Sequence, residues 1–81
     1  MHEKDIYDKL NKVFQTVFDD DSIVVNCSTN SSDIADWDSL EHINLLVAVE
    51  KSFGIKFDMS EVIDMNNVGD MVKIILLKLN K

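Results

Sequence analysis

The chain predicts an all-α fold: a four-helix bundle with a long first loop and a short third helix. Three observations carry this. Apolar residues recur at three- and four-residue steps along the first, middle and last stretches of the 81 residues. No Pro and only two Gly, Gly54 and Gly69, interrupt that periodicity. Two of the stretches open on a short polar residue with an acid three positions on, the pattern of a helix start.

From Glu3 to Phe18 the residues Ile6, Leu10, Val13, Phe14 and Val17 form one face of an amphipathic helix. Asp19 to Trp37 then break the period with an acidic triplet, a short apolar patch at Ile23, Val24 and Val25, and a Ser/Thr/Asn cluster. That span is expected to be a loop, and loops of such length in small domains are often functional. The second helix starts at Asp38, with Glu41 as its capping-box partner and Ser39 as its first residue, and runs to about Phe53. Gly54 supplies the left-handed stop. A third, short helix covers roughly Ser60 to Met65. The last has Asn67 as N-cap and Asp70 at its third position, with Val68, Met71, Val72, Ile75, Leu76 and Leu79 on one face and Lys78 and Lys81 at its end. All of it, residues 1–81, is read as one domain.

Composition narrows the function. Fifteen Asp and Glu face eight Lys with no Arg, a net charge of −7 that disfavours nucleic acid and anionic membrane surfaces and suits a basic partner protein. Residues 19 to 64 alone hold 11 acids against Lys51 and Lys56, a net of −9. Cys27 is the single cysteine, so no internal disulfide is expected. No apolar run reaches the length of a membrane span, and the N-terminus lacks a signal-peptide layout, so a cytoplasmic monomer is expected.

The second helix carries two apolar arcs. At about 100° per residue, His42, Leu45, Leu46, Val49 and Phe53 share one side, which packs inward. Leu40, Ile43 and Val47 fall nearly opposite, giving a second stripe that is either a docking surface or a face buried by the bundle. Ser39, in the first turn at the end of the loop, projects toward solvent, where a hydroxyl is open to modification. The helix N-terminus favours an attached anion by about 0.3 to 1 kcal/mol, while Asp38 and Glu41 oppose it. Taken alone, Asp-Ser-Leu-Glu is simply a helix start.

The run DWDSLEHINLLVAVEKSFGIKF, from Asp36 to Phe57, followed by NVGDMVKII from Asn67 to Ile75, resembles the acyl carrier protein family. The Asp-Ser-Leu triplet, the acid ahead of Phe-Gly-Ile and the Val-Gly-Asp helix start match in order and approximate spacing. The resemblance implies a four-helix bundle whose serine, here Ser39 within the Asp38-Ser39-Leu40 triplet, receives a 4′-phosphopantetheine arm from a phosphopantetheinyl transferase. It also implies that Leu40, Glu41, Ile43, Val47 and Glu50 meet basic docking patches on acyl-loading and acyl-processing enzymes, in fatty acid or specialised lipid or polyketide-type biosynthesis.

Departures from the family pattern are informative. Trp37 stands where fatty-acid carriers usually have Gly or a small residue, and His42 follows the serine by three. Lys51 interrupts the acidic run near the end of the second helix, and Phe57-Asp58-Met59 lacks a Pro often found there. The Trp-Asp-Ser-Leu segment looks more like stand-alone carriers of specialised pathways. No nucleophile with a base and an orienting group exists for catalysis. His42 is expected at the core or its boundary, near enough to Ser39 to touch the arm. Trp37 is expected to cap the core and Cys27 to be a small loop hydrophobe. The Asp19-Asp20-Asp21 run lacks the alternation and Gly of a calcium loop, so no metal is expected. The competing readings are an aminoacyl or D-alanyl carrier, and an unmodified helical interaction module.

Overall fold

The computed structural model describes residues 2–79, and four helices account for all its regular structure: α1 (Glu3–Val17), α2 (Ser39–Phe53), α3 (Met59–Ile63) and α4 (Val68–Leu79). No strand forms among the described residues. Lys81, the expected last charge of α4, lies outside them.

The inward face of α1 buries Ile6, Leu10, Val13 and Phe14 and packs on α2 and α4. From α2 come Leu45, Val49 and Phe53, and from α4 Val68, Met71, Val72 and Ile75. Each large aliphatic or aromatic side chain taken fully out of water here contributes about 1.5–3 kcal/mol. Leu76 and Leu79, on the same stripe of α4, are only partly buried and pack against the edge of this core.

Local signals place the helix ends. Gly54 takes the left-handed conformation, φ 66° and ψ 39°, and its N–H closes on the Glu50 carbonyl. Asp38 Oδ1 accepts the Glu41 N–H at 2.8 Å. Only that half of the expected capping box forms. The Glu41 carboxylate accepts from Asn44 Nδ2 at 3.3 Å, and the Asp38 N–H turns back to the Asp36 carbonyl at 3.0 Å. Asn67 Oδ1 accepts the Asp70 N–H at 2.9 Å, while the Asp70 carboxylate accepts from the Asn66 N–H at 3.1 Å. The third helix begins earlier than expected, at Met59, because Glu61 Oε1 accepts the Asp58 N–H at 2.8 Å and fixes the start there. A Lys78–Glu61 ion pair of 2.9 Å ties α3 to α4.

The long connection is a loop built from turns. Its apolar patch does not pair as a strand, since α1 side chains take its backbone groups. Gln15 Nε2 donates to the Ile23 carbonyl at 2.8 Å, and Asn11 Oδ1 accepts the Val25 N–H at 2.6 Å. Val25 is thereby drawn into the core while Val24 faces out. Asn26 and Asn30 each accept N–H groups two residues on through their own side chains, which folds the rest into successive turns. Cys27 lies in the loop, as expected, and is exposed. Its carbonyl, not its thiol, does the anchoring, by accepting the Gly69 N–H at 3.0 Å.

Candidate functional site

Ser39 is the first residue of α2 and is exposed. The Asp38 cap and the 2.8 Å bond from the His42 N–H to the Asp38 carbonyl start the helix at that residue. The N–H groups of Ser39 and Leu40 have no intrahelical acceptor by position and carry the positive end of the helix dipole, so an anion on the serine oxygen meets donors there. Beside Ser39 opens a cleft of about 390 Å³, lined by Trp37, Asp38, His42, Met65, Asn66 and Met71, among others.

Trp37 occupies the joint between loop and helix. Its indole meets Phe14 edge-on, with centroids 5.3 Å apart at 80°, and leans on Phe18 at 6.1 Å, so it caps the core as expected. Its Nε1–H donates to Nδ1 of His42 at 3.0 Å. His42 is half-buried at the rim of the cleft, where burial pushes its pKa below the ordinary value.

The second stripe of α2 lies open. Leu40, Ile43 and Val47 are 67, 60 and 43 % exposed, so the bundle does not bury that face. Glu41 lies in the first turn of the same helix, next to Leu40 in the chain. Glu50 differs from the other acids, because its Oε2 accepts the Phe57 N–H at 2.8 Å and so holds the segment after Gly54 in place. In the acidic triplet, Asp20 Oδ1 accepts both the N–H and the hydroxyl of Ser22, and those two bonds hold its carboxyl below the usual range.

The sequence pattern described as "phosphopantetheine attachment site" matches residues 8–75. The chain belongs to the phosphopantetheine-bearing acyl carrier protein family. The solution structure of a holo acyl carrier protein from Geobacter metallireducens superposes with a TM-score of 0.87 at 44 % identity, over 91 % of this chain and 85 % of that one. No curated protein sequence matches the chain. An acyl carrier protein is a carrier and not an enzyme, and its prosthetic group is a covalently attached 4′-phosphopantetheine. The residues present fit such a group: an exposed hydroxyl at a helix N-terminus, beside a cleft whose Trp37, Met65 and Met71 supply apolar wall and whose Asn66 and Asn67 supply amides.

Asp38 caps α2, Ser39 and Glu41 lie in its first turn, and the stripe of Leu40, Ile43 and Val47 that the helical period groups together is exposed. The cleft is also lined by Ser31 from the loop, Met65 and Asn66 from the α3–α4 joint and Met71 from α4, none of which the sequence pattern marked as cleft residues. Nothing local to those residues marks them. The Trp37–His42 bond had a signal, two ring residues flanking the serine, that carried no geometry until the loop was placed. Among the described residues no helix is long and apolar enough to cross a membrane, and no group of three or more side chains could hold a metal ion.

Proposed function

We propose that Ser39 is the residue that bears the arm and that this carrier presents acyl thioesters to partner enzymes through the open face of α2. The observation that carries the assignment is the exposed Ser39 hydroxyl at the capped start of α2, beside the cleft. The arm supplies a mobile thiol on which an acyl group is held as a thioester. The chain's own residues do the rest: Asp38 fixes the helix start, Ser39 offers the oxygen, and the first-turn N–H groups favour the phosphate. Leu40 follows the serine into the exposed stripe, so docking and attachment share one end of the helix.

The docking reading rests on Leu40, Ile43 and Val47 being exposed and on Glu41 standing in the first turn of the same helix, at the serine end. Basic patches on a phosphopantetheinyl transferase and on acyl-loading and acyl-processing enzymes complement that rim. We assign Glu50 a mixed role, since its carboxylate also holds Phe57. Trp37 before the triplet and Lys51 within the acidic run favour a specialised lipid or polyketide-type pathway over primary fatty acid synthesis. The lone Cys27 thiol, free and exposed, suits the cytoplasm.

The test is intact mass after incubation with coenzyme A and a phosphopantetheinyl transferase. The chain should gain one phosphopantetheine mass, and Ser39→Ala should gain none while its unfolding free energy stays within about 0.5 kcal/mol of the original. A Ser39→Ala chain that still takes the arm, for example at Ser31 or Ser32, would put the site elsewhere.

A further inference from the structure

We infer that Trp37 and His42 form a positioning pair for the arm, in which the indole locks the imidazole so that His42 offers its Nε2–H to the phosphodiester at the serine. This rests on the reading of Ser39 as the attachment residue. The argument starts from the donor inventory of the two rings. An indole nitrogen only donates, so the 3.0 Å Trp37 Nε1 to His42 Nδ1 contact requires a lone pair on Nδ1. A neutral imidazole then carries its proton on Nε2.

The pair is anchored. The two ring planes lie 28° apart with centroids at 5.9 Å, and the indole is itself wedged against Phe14 and Phe18. The imidazole is therefore tied to the hydrophobic core through its neighbour. Among the described residues His42 Nε2 makes no hydrogen bond and no buried side-chain nitrogen or oxygen lacks a partner, so this nitrogen is reached from solvent. The ring lines the same cleft as Ser39, and three residues along one helix places the two side chains on one face.

The chemistry suits a phosphodiester. Asp38 and Glu41 bring negative charge to this helix start, so a phosphate there gains from each additional donor. A donor facing an ionised acceptor makes a stronger bond than a neutral pair. Burial disfavours the protonated ring, which favours the Trp37 bond while Nε2 donates. No other imidazole lines the cleft, which makes the group's contribution separable.

The experiment uses the full chain loaded by a transferase and coenzyme A, with the arm's position read by peptide mass spectrometry. The phosphorus-31 resonance is followed from about pH 5 to pH 8, where imidazole titrates and a phosphodiester does not, beside the nitrogen-15 titration of His42 in the same sample. The phosphorus signal should shift with the His42 midpoint, and loading should raise that midpoint. His42→Gln can still accept from Trp37 and donate outward, so it should abolish the titration but keep the resonance near its neutral-pH position. His42→Phe should move it toward that of the unfolded loaded chain. Trp37→Phe, which keeps the ring packing and loses the donor, should weaken the response. An arm on Ser39 whose phosphorus signal ignores His42 overturns this inference alone; an arm on another serine overturns both it and the assignment of Ser39.

Discussion

Gly69 donates its N–H to the Cys27 carbonyl at 3.0 Å, and a Cβ at position 69 would stand 2.7 Å from that same oxygen. The neighbouring Val68 N–H donates to the Thr29 carbonyl at 2.8 Å. The long loop thus caps the first turn of α4 with its own backbone, and it can come that close only because residue 69 has no side chain.

Gly69→Ala should therefore destabilise the carrier despite the better helix propensity of Ala. Propensity offers at most about 1 kcal/mol, and less in a first turn. Pushing a backbone carbonyl aside costs about 1–3 kcal/mol. Urea unfolding should show a lower midpoint, and the amide of residue 69 should exchange faster. An unchanged midpoint with unchanged exchange would mean that the loop yields freely.

The parts of this fold legible in the sequence are those with a local cause. Gly54 ends α2 because a left-handed residue is needed there, and Asp38 and Asn67 start helices with their own side-chain oxygens. The spacing of Leu45, Val49 and Phe53 gave the buried face and, by subtraction, the stripe of Leu40, Ile43 and Val47. The sequence did not tell whether that stripe was covered, since this depends on where the other helices stop. Nor did it show that Asn11 and Gln15, four apart on α1, would hold Ile23 to Val25 as a loop. Side-chain bonds across 8 and 14 residues leave no periodic trace. The cleft beside Ser39 was hidden for the same reason, being assembled from three separate segments.

His42 gives a pH dependence whose sign follows from its burial. Its pKa is lowered in the folded chain, so the unfolded chain takes up the proton first as pH falls through about 6.5. The His42 contribution to stability is complete above that pH and is lost as pH falls toward the lower folded value. Protonation at Nδ1 also removes the acceptor of the Trp37 bond. Denaturant midpoints of the original chain and His42→Gln, compared between about pH 7.5 and pH 5, should converge or cross as the pH drops, with the original losing more. A difference independent of pH would show that His42 is equally accessible to protons in both states.

The open face of α2 makes opposite demands on two neighbouring substitutions. Glu41→Lys reverses a rim charge while leaving the backbone N–H that Asp38 caps, so it should slow association with a transferase and flatten its salt dependence. Ile43→Ala removes an apolar side chain that is 60 % exposed, so its effect on folding should stay within about 0.5 kcal/mol. Its effect on binding should be larger, about 1–2 kcal/mol and mostly in faster dissociation, with little dependence on salt. The two variants thus separate steering from anchoring on one helix face. Stopped-flow association and dissociation rates at two salt concentrations, set beside thermal unfolding of each variant, measure both. If Ile43→Ala binds and is loaded like the original chain, the Leu40, Ile43 and Val47 stripe is not where the transferase docks, whatever the arm's point of attachment.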